Sequence, residues 1–151
     1  MNILSIREHP EWLDAGARLF DMAFGGQNSY ELYHDCIRAS ISTDSPLPRW
    51  FLMTDGKKAI GGCGLITNDF ISRMDLWPWL CALYVSSEYR GQALGTQLLE
   101  HATGEAARLG YERIYLTTTL DGFYEKYGWE RIEDGFSVLD GPSRIYTRST
   151  R

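Results

Sequence analysis

The segment from Trp79 to Leu109 constrains this chain more than any other. The run Trp79-Leu80-Cys81-Ala82-Leu83-Tyr84-Val85 is almost wholly apolar, which predicts a central strand covered on both faces. It feeds the polar, glycine-containing stretch Ser86-Ser87-Glu88-Tyr89-Arg90-Gly91-Gln92-Ala93-Leu94-Gly95. Leu94, Leu98, Ala102, Ala106 and Leu109 then recur along one side of a helix that Gly110 closes. Backbone N–H groups of such a turn open onto the positive end of the helix dipole, a place suited to an anion. Gly91 and Gly95 let a phosphate approach with no Cβ in the way, and Arg90 can add a charge-assisted contact.

The rest of the chain supplies further elements in a definite order. Ile3-Leu4-Ser5-Ile6-Arg7 alternates like a first strand. Pro10 opens a helix with Trp12, Leu13, Leu19, Phe20 and Ala23 as apolar positions, stopped by Gly25-Gly26. Ser29 is placed to cap a second helix through Leu32, Cys36 and Ile37. Trp50 to Met53 reads as a strand, Asp55-Gly56 as a hairpin turn, and Ala59 to Thr67 as the partner strand. Gly61, Gly62 and Gly64 inside that partner predict a bulge or a close neighbour. Asn68 to Pro78 reads as a loop. Arg113 to Thr117 is β-prone, and Asp121 is placed to cap a short helix from Gly122 to Tyr127 that Gly128 ends. Two last strands, around Ile132–Val138 and Arg144–Thr147, are joined by Asp140-Gly141-Pro142. The reading is an α/β (α+β) fold around one mixed sheet, in a single domain spanning residues 1–151.

Composition removes several function classes. Fifteen Lys and Arg against 20 Asp and Glu give a formal charge of −5, which disfavours a nucleic-acid partner and suits a cationic one. No segment approaches the roughly 18–20 apolar residues of a membrane span. Cys36, Cys63 and Cys81 are widely spaced, and His9, His34 and His101 form no HExxH pair. Neither a metal nor a disulfide framework is expected, and the cytoplasm is the simplest location.

Val85 to Gly95 resembles the acetyl-CoA signature of the GNAT family of N-acetyltransferases. The pattern [Arg/Gln]-x-x-[Gly/Ala]-x-[Gly/Ala] is met by Arg90, Ala93 and Gly95. Ala93 stands where many members have glycine, and its dislike of positive φ predicts a slightly altered turn. Gly122-Phe123-Tyr124-Glu125-Lys126-Tyr127-Gly128-Trp129 is similar to a second segment of that family, and the element order agrees from Ile3 to the C-terminus. The resemblance implies a mostly antiparallel sheet of about six or seven strands flanked by about four helices. It implies acetyl-CoA or CoA as co-substrate, its pyrophosphate on Arg90, Gly91, Gln92, Ala93, Leu94, Gly95 and Thr96. The pantetheine arm would pair with the backbone of Leu83, Tyr84 and Val85, and the thioester oxygen would take an N–H near Leu83.

Acyl transfer to an amine also needs a proton donor for the leaving thiolate and an acceptor for the ammonium proton. Tyr124 matches the tyrosine that often serves as general acid in the family, and a phenol of pKa near ~10 stays protonated at neutral pH. The base is open: Glu31, Asp35, Asp69, Asp75 and Glu88 qualify by type, and Asp69 and Asp75 lie nearest the expected acceptor side. Tyr30, Tyr33, Trp77 and Trp79 are candidate acceptor contacts, although core packing accounts for them equally well. Cys81 has no histidine close in sequence and reads as a small buried residue. The leading expectation is direct acetyl transfer to a primary amine of a small molecule. A protein or peptide acetyltransferase and a non-catalytic CoA sensor stand as alternatives. Exposed C-terminal strands offer a route to a homodimer.

Overall fold

Continuous and alternating apolar runs become strands, and the 3.6-periodic ones become helices, in a computed structural model that describes residues 1–151. The elements are β1 (Asn2–Ser5), α1 (Leu13–Phe24), α2 (Ser29–Ser42), β2 (Arg49–Thr54), β3 (Ala59–Ile66) and β4 (Trp79–Val85). They continue as α3 (Leu94–Arg108), β5 (Arg113–Thr118), β6 (Glu130–Ser137) and β7 (Gly141–Ser149). The seven strands take the order β1-β2-β3-β4-β5-β7-β6. β1 pairs antiparallel with β2, β5 and β6 pair antiparallel with β7, and β4 runs parallel to β5.

The chain groups into two compact units, Met1–Gly64 with Ala82–His101, and Leu65–Cys81 with Ala102–Arg151. In the first unit, Phe20 packs on Tyr33 and Trp50 with ring centroids 5.5 and 5.2 Å apart. Ile6, Ala17, Ile37, Phe51, Leu52, Met53 and Ile60 are fully buried there. Each such large apolar side chain contributes roughly 1.5–3 kcal/mol. In the second unit, Ile71, Trp79 and Ile145 form a buried cluster edged by Ile66, Leu76 and Tyr115. The helical face foreseen for α3 is the buried one: Leu94, Leu98, Ala102 and Ala106 are all buried.

Three local expectations need correction. The helix expected over Gly122–Tyr127 is a single 3₁₀ turn, Tyr124–Tyr127, so three α-helices are present where about four were foreseen. Gly122 and Gly128 both take left-handed backbone, and the few residues between them are too short for a helical hydrogen-bond run. Ser29 does not cap α2; its hydroxyl turns back to Gly26 and Asp21 and closes the α1–α2 connection. The first strand stops at Ser5, because Glu8 and His9 N–H groups both donate to the Ser5 carbonyl and turn the chain.

The glycines of β3 mark close approach, one of the two outcomes their spacing predicts. A Cβ at Gly61 would stand 2.7 Å from the Tyr84 carbonyl oxygen, and one at Gly62 would stand 2.6 Å from that of Phe51. Both contacts are with backbone, which cannot swing aside. We therefore expect Gly61→Ala to lower stability by about 1–3 kcal/mol, read as a fall in melting temperature. An unchanged melting temperature would mean that β3 and β4 do not approach this closely.

Candidate active site

Three features of the first unit converge on the connection between β4 and α3. Ser86 N–H donates to the Ile60 carbonyl at 2.7 Å, which ties the end of β4 to β3. The chain makes a 3₁₀ turn at Ser87–Tyr89, crosses Arg90–Ala93 and enters α3 at Leu94. Gln97 N–H donates to the Ala93 carbonyl at 3.2 Å, so the N–H groups of Leu94, Gly95 and Thr96 precede that bond and have no helical acceptor. Leu94 is buried and holds the helix start down, whereas Arg90 to Ala93 are exposed.

Gly91 adopts φ +86°, as expected of its residue type. Ala93 nevertheless adopts φ +59°, so the altered turn expected from its Cβ is not what forms. The left-handed conformation is kept at a cost of about 1–2 kcal/mol. Arg90 Nε donates to the Val85 carbonyl at 2.9 Å, and its guanidinium lies 5.7 Å from the centre of the Tyr84 ring. The side chain thus fixes the exit from β4 while its terminal nitrogens remain available to an anion. The β2–β3 hairpin clasps the same turn: Tyr89 donates its hydroxyl to Asp55 at 2.5 Å, and Lys58 reaches Glu88 at 3.4 Å. The Tyr89 hydrogen bond holds the Asp55 carboxyl below the usual carboxylate range.

β4 itself is interrupted. Its parallel ladder with β5 registers one pair, Trp79↔Tyr115, and Ala82 then takes φ +53°. A left-handed alanine inside a strand re-aims the peptide groups that follow it, here those of Leu83, Tyr84 and Val85. All three are half-buried. Sequence offered no signal for this feature, since alanine carries none of the usual marks of a bulge.

The remaining predicted residues fall in both units. In the first, the Tyr30 hydroxyl donates to Asp14 at 2.6 Å, and Tyr33 packs against Phe20 and Trp50. In the second, Trp79 is fully buried, and its indole N–H donates to the Leu76 carbonyl at 2.6 Å. That side chain packs in the core, whereas Trp77 is exposed. The two carboxylates differ sharply. Asp75 is exposed, receives two hydrogen bonds from Arg73, and is held below its ordinary pKa. Asp69 is largely desolvated and faces the like charge of Asp140, which together push it up to about 6. Its loop is pinned by Asn68 to Ile71, and Ser72 N–H donates to the Phe136 carbonyl at 3.0 Å.

Tyr124 stands among Phe123, Tyr146 and Trp129, at ring distances of 5.0, 5.8 and 6.2 Å. Desolvation raises its pKa, and no protein group bonds to its hydroxyl. No group of three or more His, Cys, Asp or Glu side chains is gathered as a metal centre would require. Burial pushes the Cys63 thiol up to about 12, which leaves it unreactive. No helix is long and apolar enough to cross a membrane.

The family model of the acetyltransferase (GNAT) family matches residues 11–129. The chain belongs to the GNAT acetyltransferase family. The matched range contains the Arg90–Thr96 turn and Tyr124. Solved structures share the fold of this GNAT acetyltransferase across its whole length. An aminoglycoside 6'-acetyltransferase type Ii superposes with a TM-score of 0.75 at 23% identity, over 100% of this chain and 98% of its own. An aminoglycoside 6'-N-acetyltransferase in complex with coenzyme A gives 0.75 at 20% identity, with the same coverage. The aminoglycoside 6'-N-acetyltransferase from Enterococcus faecium gives 0.74 at 20%, again over 100% and 98%. No curated protein matches in sequence.

Two outcomes follow from this geometry. A Cβ at Gly95 would meet nothing within 4 Å, so Gly95→Glu should fold with nearly unchanged melting temperature while placing a carboxylate among the free N–H groups. CoA binding by calorimetry should disappear, and retained affinity would relocate the anion site. For Asp69, burial disfavours the ionised form, so folding is penalised fully above pH about 6 and not at all below its ordinary value of 3.8. Asp69→Asn should therefore raise stability at pH 7.5 by about 1–3 kcal/mol, a difference that vanishes by pH 4.

Proposed function

We propose that this protein transfers the acetyl group of acetyl-CoA directly to a primary amine of a small cationic molecule. The observation that carries the reading is the α3 start, where the N–H groups of Leu94, Gly95 and Thr96 precede the first helical bond, within a chain of the GNAT family. Those N–H groups, with the terminal nitrogens of Arg90, suit the pyrophosphate of CoA. The peptide groups of Leu83, Tyr84 and Val85, re-aimed after Ala82, suit the amide-bearing pantetheine arm and the thioester oxygen. Structural neighbours named as aminoglycoside acetyltransferases support a polyamine acceptor, as does the formal charge of −5.

In the reaction the neutral amine nitrogen attacks the thioester carbon to form the C–N bond, and the C–S bond breaks with its electron pair on sulfur. The proton shed by the acylated nitrogen restores, directly or through water, the one that Tyr124 gives up. Tyr124 donates its phenolic proton to that thiolate. Its burial keeps the phenol protonated, and its hydroxyl has no competing acceptor in the protein. Asp69, directly or through water, takes the ammonium proton before attack. An alkylammonium has a pKa near ~10.4, and moving Asp69 from 3.8 to about 6 narrows the gap by roughly two units, or ~3 kcal/mol. Asp75 is the poorer base, because Arg73 already occupies its charge.

A panel of aminoglycosides, polyamines, amino acids and lysine peptides with acetyl-CoA, followed by release of free thiol, tests the acceptor. Turnover on a small amine with inert peptides is the expected outcome; the reverse selects a peptide acetyltransferase, and no turnover with intact CoA binding selects a sensor. On the best acceptor, Tyr124→Phe should lower kcat by about 10–1000-fold with little change in the acetyl-CoA KM. An effect within twofold, with chemistry rate-limiting, would return Tyr124 to packing alone. The acidic limb of kcat should fall near pH 6 and be absent in Asp69→Asn.

A further inference from the structure

Alternate residues of a strand share one face, and on β7 one face presents Arg144, Tyr146 and Arg148. Two of them hydrogen-bond to the segment that carries Tyr124, and the third lies beside it. Arg144 Nη1 donates to the Thr119 carbonyl at 2.7 Å. The Tyr146 hydroxyl donates to Glu125 Oε2 at 2.9 Å. A Cβ at Gly128 would stand 3.8 Å from Arg148 Nε.

That segment has little rigidity of its own. Beyond its 3₁₀ turn it has the Gly128 N–H to Glu125 carbonyl and Trp129 N–H to Tyr124 carbonyl bonds, both 3.3 Å. Left-handed Gly122 and Gly128 flank it, and Tyr124 has no polar tether. Tyr146, by contrast, is fully buried in a strand hydrogen-bonded on both sides, to β5 and to β6. Its ring lies 5.8 Å from that of Tyr124 at an interplanar angle of 48°. β7 is therefore the hydrogen-bonded support beside the Tyr124 ring.

We propose that Tyr146 is a positioning residue for acetyl transfer: its hydroxyl clips Glu125 of the Tyr124 turn to β7 while its ring backs Tyr124, which holds the phenol in one place. The proposal rests on the reading of Tyr124 as proton donor. Glu125 belongs to the same device as the acceptor of the clip. Tyr146→Phe removes the clip and keeps the ring. Glu125→Ala removes it from the other side, and Glu125→Gln keeps an acceptor oxygen at the same place.

The test measures kcat, acetyl-CoA KM and melting temperature for these variants, each with Tyr124 intact and as Tyr124→Phe. Tyr146→Phe and Glu125→Ala should each lower kcat by about 3–30-fold with KM within twofold, and Glu125→Gln should keep most of the rate. In the Tyr124→Phe background, Tyr146→Phe should cost less than about twofold, because the group it positions is gone. An equal cost in both backgrounds, or a lowered melting temperature with unchanged kcat, would overturn the proposal. If Tyr124→Phe itself leaves kcat intact, the proton-donor reading is what fails. Positioning is then read by ring-carbon NMR of isotope-labelled tyrosine, with the Tyr124 signal assigned from Tyr124→Phe. One sharp signal that broadens or splits in Tyr146→Phe supports the clip; an unaltered signal refutes it.

Discussion

Everything proposed for this chain depends on a row of backbone N–H groups left without partners where α3 begins. Such groups are costly to bury and favourable to offer to an anion, so the surrounding residues must keep them open and fixed. Several interactions do so. Leu94 seats the helix start in the core, Ser86 ties the end of β4 to Ile60, and Arg90 locks onto the Val85 carbonyl. Ala93 holds a left-handed conformation that its Cβ disfavours, which shows how strongly its neighbours dictate that turn. Gly61 lets β3 lie against Tyr84, so the strand that feeds the turn has a firm support.

The residues of the proposed chemistry lie in two kinds of environment. The turn is exposed and polar, suited to phosphate. Tyr124 and Asp69 are desolvated, and burial moves both pKa values upward. For a phenol proposed to deliver a proton this preserves the acid, and for a carboxylate proposed to accept one it strengthens the base. Asp75 shows the opposite arrangement, in which a salt-bridged surface carboxylate is stabilised as an anion and weakened as a base. Burial separates the two aspartates where residue type could not.

Much of this was legible in the residues. The apolar run Trp79–Val85 gave β4 with its observed bounds, and the spacing Leu94, Leu98, Ala102, Ala106 gave the buried face of α3. Gly61 and Gly62 predicted a bulge or a close neighbour, of which the second is found, and the [Arg/Gln]-x-x-[Gly/Ala]-x-[Gly/Ala] match marked the turn. Features set by tertiary context were not legible. The left-handed Ala82 carries no residue signal, and residue type alone did not separate the core packing of Trp79 from the exposure of Trp77. The segment around Tyr124 looked helical because Asp121 and Gly128 resemble caps, yet its two left-handed glycines leave room for one 3₁₀ turn. The alternation Arg144, Tyr146, Arg148 read as an ordinary strand, and its contacts with the 119–128 segment appear only once β7 is in place.

The most direct test of the account is the melting temperature of the unmodified protein across a concentration series of acetyl-CoA at fixed salt and pH. A ligand held by the α3 turn in the native state alone should stabilise by about 2.7 kcal/mol at a hundredfold excess over its Kd. For a domain of this size that is a rise of roughly 5–10 °C, growing with the logarithm of concentration. Acetate and free phosphate at the same concentrations should leave the curve in place. A melting temperature that stays flat to millimolar acetyl-CoA would contradict the claim that the free N–H groups at the start of α3 form a cofactor site.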